Sequence, residues 1–416
     1  MSEPSLGGRS LADRLAAIRV DRVERPAAAP RAPDRADGLA RWLGAELRIA
    51  EVGRVVLLER TVALPAATSS ALASLPRACY FDTETTGLST GAGTVIFLAA
   101  LGWLEGTQLR VRQVLLPDYP DERALLRHVA AGLADSARLV TYNGRTFDLP
   151  LLTARLTVHG LFPEMAALPQ QHDDLLPVAR RLWRRALGSA RLAVVETGVL
   201  GVQRATDCPS WEVPGRWFGY LRGGSPDLLV EVLDHNLQDI ASLALMEGEL
   251  LRLRAGGWRD ASNLDRRGMS LELLRHGRHD DALAVLQEAL DGAIDRAEAI
   301  GLRRLATRLL VAAGEIDRAE ELWRSGTRQA SVDAAAAWIE VARIRERQRG
   351  DLRGALEAAA AASRILDLAF ALGRGGSLEA IGRTRILVEG RVRRLRSWLA
   401  AADRRAAAHE AVRQVA

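Results

Sequence analysis

Apolar and polar positions divide the chain into stretches with different periods. Ala78 to Asp82 and Thr94 to Leu101 are short apolar runs of strand length, and Leu109, Val111, Gln113 and Leu115 alternate as a third strand does. In Asp121 to Leu133 the period becomes helical, with Leu125, Leu126, Val129 and Leu133 on one face. Arg138 to Thr141 predicts a fourth strand, Leu149 to His159 a second helix and Asp173 to Leu187 a third. Strands interleaved with helices specify an α/β domain. Ser225 and Pro226 are a cap and a first-turn proline. They open a helix that carries Leu229, Val232, Leu233, Ile240 and Leu243 on its inner side. Beyond about residue 258 the strand signals stop. There a glycine followed by an alanine recurs at Gly277/Ala282, Gly314/Ala319 and Gly350/Ala355, each between apolar helical stretches. That spacing is close to a tetratricopeptide-like array of helix pairs.

Before the strands, Leu11 to Val20 is amphipathic and Pro26 to Pro33 has linker chemistry. Arg54 to Leu58 and Thr61 to Leu64 predict a small hairpin or edge pair. The expected division is an extension over 1–75, an α/β domain over 76–255 and helical repeats over 260–416.

Composition narrows the chemistry. All 57 basic residues are arginine, so a P-loop and a Schiff-base lysine are both excluded. The net charge of +5 permits an anionic partner, and arginine forks suit phosphate. Only Cys79 and Cys208 could bridge, too few for a disulfide framework or a zinc site. With no secretory pattern at Met1 to Pro4 and no membrane span expected, the anticipated compartment is the reducing cytoplasm.

Acidic positions then fall in an informative order. Asp82-Thr83-Glu84 ends the first strand, where residues two apart project to one face. Tyr142-Asn143-Gly144-Arg145-Thr146-Phe147-Asp148 follows the fourth strand and sets Asp148 at the first turn of a helix. His235 and Asp239 lie four apart on the late helix, neighbours on one face. Each element alone reads as a strand end, a cap or a surface pair; the order of the three is what informs.

That order resembles the DEDD exonuclease superfamily. More narrowly, Phe81 to Leu88, Asp174-Leu175-Leu176 with Ala179 to Trp183, and His235 to Asp239 resemble the YprB-type ribonuclease-H-like domain family. The resemblance implies a mixed five-stranded sheet flanked by helices, followed by all-helical repeats. It also implies hydrolysis of single-stranded RNA or DNA, 3′ to 5′, with two Mg2+ or Mn2+ ions held by Asp82, Glu84, Asp148 and Asp239. His235 would be the general base, its ordinary pKa of about 6.5 suiting it to accept a proton near neutrality. Carboxylates fit because these hard cations prefer oxygen ligands. One departure stands out: superfamily members with a histidine base place it five residues before the last aspartate. Here the gap is four, the register at which tyrosine-type members carry their tyrosine.

Asp174 resembles a helix-starting aspartate of the superfamily, and capping is its expected role. Arg204, Trp211, Arg216 and Trp217, near Phe218 and Tyr220, combine charge with aromatic rings as nucleic-acid contacts do. The rival expectation for them is packing of the loop onto the sheet. For the whole chain the rivals are a nucleic-acid-binding protein without turnover, and a scaffold whose helical repeats bind a protein partner.

Overall fold

The computed structural model describes residues 35–87, 93–204, 208–292, 296–327, 330–373 and 377–415. The stretch expected around Leu11 to Val20 and the proline linker lie outside them.

A seven-stranded mixed sheet forms the frame: β1 (Glu46–Ala50), β2 (Gly53–Ala63), β3 (Ala78–Thr85), β4 (Ile96–Glu105), β5 (Gln108–Leu115), β6 (Arg138–Thr141) and β7 (Gln171–Asp174), in the order β1-β2-β5-β4-β3-β6-β7. This corrects the expected five strands. The segment expected as a small hairpin is one long strand, β2, paired antiparallel with both β1 and β5. The other addition is β7, whose sequence Gln171-His172-Asp173-Asp174 has no apolar alternation; its conformation is set by parallel pairing with β6. The helix expected over Asp173 to Leu187 is therefore a strand end followed by two short helices.

The helices in chain order are α1 (Arg35–Leu43), α2 (Ala66–Ala73), α3 (Glu122–Ala134), α4 (Asp148–Val158), α5 (Phe162–Ala166), α6 (Leu175–Leu182), α7 (Arg184–Leu187), α8 (Leu192–Val195), α9 (Val213–Leu221) and α10 (Val230–Arg254). Strand β3 runs beside antiparallel β4 and parallel β6. Its Cys79, Tyr80 and Phe81 are buried, as expected of a strand covered on both faces. Helix α10 lies across β3, β4 and β5. Gly102 on β4 permits this approach, since a Cβ there would stand 2.5 Å from Ile240.

From residue 257 on, the described residues form no strand. They fold into α11 (Arg266–Arg275), α12 (His279–Asp291), α13 (Arg296–Ala312), α14 (Ile316–Arg324), α15 (Val332–Gln348), α16 (Leu352–Ala371) and α17 (Leu378–Val415). Gly277, Gly314 and Gly350 have φ of 72°, 79° and 65°, and each turns the chain between two helices. Ala282, Ala319 and Ala355 are wholly buried in the following helices. Glu272 of α11 joins the two halves, bonded by Arg181 of α6 and, at 2.6 Å, by Arg254 of α10. No helix among the described residues is long and apolar enough to cross a membrane.

Candidate active site

Three elements deliver four carboxylates to one end of the sheet. Strand β3 presents Asp82 and Glu84 on one face, as the period of two requires. Asp148 opens α4 after a tight turn. Asn143 adopts φ 69°, and Gly144 is required because a Cβ there would stand 2.5 Å from Thr141 Oγ1. Helix α10 contributes His235 and, one turn later, Asp239.

Three of the acids accept a hydrogen bond from a particular partner. Asn236 donates to Asp82 Oδ2 at 2.8 Å. Thr83 Oγ1, on the opposite face of β3 from its neighbours, donates to Asp148 Oδ1 at 2.5 Å. Arg204 donates from Nη2 to Asp239 Oδ1 at 2.5 Å, and from Nε and Nη2 to the fully buried Glu196 at 2.6 and 2.9 Å. Its Nη1 reaches His235 Nδ1 at 2.9 Å. Arginine can only donate, so Nδ1 accepts and the ring carries its proton on Nε2. That Nε2 faces Asp239 Oδ2 at 3.6 Å and Glu84 Oε1 at 4.0 Å.

The electrostatics show that the acids sense one another. Burial pushes Asp82 well above the usual carboxylate range, and the charges of Asp239, Asp148 and Glu84 push it further, against the Asn236 hydrogen bond. Burial, Asp239 and Asp148 likewise raise Glu84, with Arg204 opposing. Asp148 is pushed up to about 6, chiefly by burial, while the Thr83 hydrogen bond pulls it down. Burial raises Asp239 despite His235 and Arg204. Buried negative charge thus exceeds the positive charge available, which is the condition a cation relieves. The donor chemistry fits a hard divalent ion. The oxygens do not yet form a cage: among the described residues no three His, Cys, Asp or Glu side chains are grouped to hold a metal. Thr83, Asn236 and Arg204 instead hold Asp148, Asp82 and Asp239 individually.

The family model of the RNase H superfamily matches residues 79–251, the span that holds all four acids. The uncharacterized protein YprB of Bacillus subtilis is 31% identical over 284 residues, covering 67% of each chain. The chain belongs to the YprB-type ribonuclease-H-like family. Among solved structures, the family B DNA polymerase from Pyrobaculum calidifontis matches at 19% identity and a TM-score of 0.35. It covers 43% of this chain and 25% of its own, a likeness that says nothing of function.

In this family member the candidates Arg216, Trp211 and Trp217 are engaged elsewhere or exposed, whereas Arg204 joins the acids. Trp217 is fully buried, stacked on Phe97 at 5.1 Å, and its Nε1 donates to the Leu116 carbonyl. Its ring is core. Arg216 pairs with Glu212 and Glu231, whereas Trp211 is 80% exposed. Asp174 caps α6 by accepting from Leu176 N at 3.0 Å, and also accepts from Asn143 N and Arg145 N at 2.8 and 3.2 Å. It therefore braces the turn that delivers Asp148.

Several supporting groups carry little sequence signal. Gln113 of β5, fully buried, donates to Asn236 Oδ1 at 3.1 Å and so fixes the amide that holds Asp82. Its one clue is a polar residue in an otherwise apolar alternation. Glu196, bonded by Ser242 at 2.5 Å, gave no clue at all.

Proposed function

We propose that this protein is a divalent-metal-dependent nuclease that trims single-stranded nucleic acid from its 3′ end. Four carboxylates on β3, α4 and α10 carry the reading: each is raised by desolvation, and the charges of Asp239 and Asp148 raise Asp82 and Glu84 further. Asp82, Glu84, Asp148 and Asp239 would hold two Mg2+ or Mn2+ ions, which when bound offset charge on the phosphodiester and on the attacking and leaving oxygens. His235 would take the proton from water at Nε2. Because Nδ1 accepts from Arg204, that role requires Arg204 to withdraw and the ring proton to sit on Nδ1. Freed of Asp239, Arg204 is placed to meet a phosphate with a bidentate fork. Gln113 and Asn236 keep Asp82 in place.

The catalytic unit in this reading is residues 76–255, in a cytoplasmic protein. Residues 260–416 are tetratricopeptide-like helix pairs that bind a protein partner or extend the nucleic-acid surface. One observation favours a binder without turnover: Arg204 holds Asp239 and no three acids are grouped for metal among the described residues. End-labelled RNA and DNA, each with and without Mn2+, separate the two. The nuclease reading expects metal-dependent shortening by the wild type and none by Asp82→Asn. Equal shortening by both proteins overturns the assigned centre, and a shifted but intact strand supports the binder.

A further inference from the structure

Beside the acid cluster a cleft of about 770 Å³ opens between α6–α7 and the segment around α8, with His235 and Asp239 at its inner end. That volume lies within the usual range of ligand sites, roughly 300–1,000 Å³. Its walls carry Arg180, Arg184 and Arg191 as well as Arg204. All of the first three are exposed.

Charge distribution along Arg180-Arg181-Leu182-Trp183-Arg184-Arg185 separates two faces. Arg181 and Arg185 point to the helical half, where Glu272 and Glu298 neutralise them. Arg180 and Arg184, also four apart, line the cleft. Among the described residues neither these two nor Arg191 has a carboxylate within 4 Å. Among the described residues that line the cleft Asp239, already engaged by Arg204, is the one acid. Within this run the two arginines that face the helical half each found an acid, and the two that face the cleft did not. Gly188, at φ 73°, ends α7 and turns the chain so that Arg191 stands on the opposing wall. Tyr142 is the aromatic ring of the lining, and its hydroxyl is tied to the Ala190 carbonyl at 2.5 Å. The cleft is therefore built for phosphates more than for bases.

We propose that Arg180, Arg184 and Arg191 grip the sugar–phosphate backbone of a single strand and lead its end to Asp239 and His235, without reading sequence. This rests on the nuclease reading and names its substrate path. An alternative route exists in the helical half, where Arg304, Arg308, Arg343 and Arg347 line a second groove of about 560 Å³ around Glu340.

The test is equilibrium binding of a fluorescent single-stranded oligonucleotide to full-length Asp82→Asn protein across a salt series. Each phosphate contact contributes about 0.7 to the slope of log K against log salt for a single strand. Adding Arg180→Ala, Arg184→Ala and Arg191→Ala is expected to lower the slope by about 2 and the affinity by about a hundredfold at 0.1 M salt. Arg308→Ala with Arg347→Ala should leave both unchanged. An unchanged slope in the triple variant overturns the proposal, and so does a slope that falls only in the helical pair. Cleavage by the otherwise native triple variant separates the two readings. Full cleavage at undiminished affinity sinks the cleft and spares the nuclease. Arginine-dependent binding with no wild-type cleavage does the reverse.

Discussion

The acid cluster beside β3 and the single carboxylate of Glu272 are treated in opposite ways, although Asp148 of the cluster and Glu272 are buried to similar depth. Asp148 and Glu272 are 4% and 3% exposed. Burial pushes Glu272 up, yet Arg254, Arg181 and His276 pull it below the usual carboxylate range. Asp82, Glu84, Asp148 and Asp239 share Arg204 and His235 among them and all rise. A carboxylate that only joins two halves of a protein is compensated by its neighbours. A cluster of carboxylates that outnumbers its cations is the kind of place where binding sites concentrate, and the proposed function rests on that contrast.

The sharpest way to break that contrast is Asp82→Asn. Metal-dependent cleavage should fall at least about a thousandfold, because several kcal/mol of charge stabilisation depends on the ligand. Thermal unfolding in chelator should show no loss of stability, since a repelling charge has gone. A large drop in midpoint without loss of cleavage would place Asp82 with Glu272 instead.

Next in size is a pH effect. Asp148 titrates higher in the folded chain, about 6 against an ordinary 3.8. Its contribution is therefore fully present below pH 3.8 and lost as the pH rises through 6. Metal-free Asp148→Asn should exceed the wild type in stability at pH 7 by on the order of 3 kcal/mol, and the gap should close toward pH 4. Denaturant titrations at the two pH values measure this. A constant gap would mean that burial does not raise Asp148 as described. Glu272, held low, contributes in the opposite window, present above its ordinary 4.5 and lost in acid.

Glu272→Gln should cost about 2–3 kcal/mol of stability by leaving two partly buried guanidiniums without their carboxylate. Cleavage at temperatures well below the midpoint should be untouched, and a specific loss of turnover there would contradict the structural role. The smallest effect is expected from Arg204→Gln. With the guanidinium no longer competing for Asp239, calorimetric Mn2+ affinity should rise about tenfold, or roughly 1.4 kcal/mol. Weaker Mn2+ binding would show that Arg204 supports the site and does not compete for it.

Much of the centre was legible from periodicity. A two-residue step put Asp82 and Glu84 on one face of β3. The Asn143-Gly144 turn announced Asp148 at a helix start, and a four-residue step paired His235 with Asp239. What was not legible depends on partners distant in sequence. Strand β7 exists through its ladder with β6 and not through its polar side chains. Strands β1 and β2 complete a sheet whose other edge lies more than 100 residues away. Glu196 and Arg204 matter through a bond to Asp239, 35 residues beyond Arg204. Aromatics misled for a related reason. Trp217 stands among arginines in sequence, but its ring stacks inside the core on Phe97, a residue of β4.

Asp174 carries a practical warning. One carboxylate there starts α6, the helix that bears Arg180, and also clamps the turn that bears Asp148. If the proposed function holds, a saturation survey scored by cleavage would rank its replacements beside Asp82 and Glu84 and invite the label of a fifth proposed ligand. Asn should partly restore function at Asp174, since an amide oxygen still accepts from Leu176 and Asn143, whereas the same exchange at Asp82 should not.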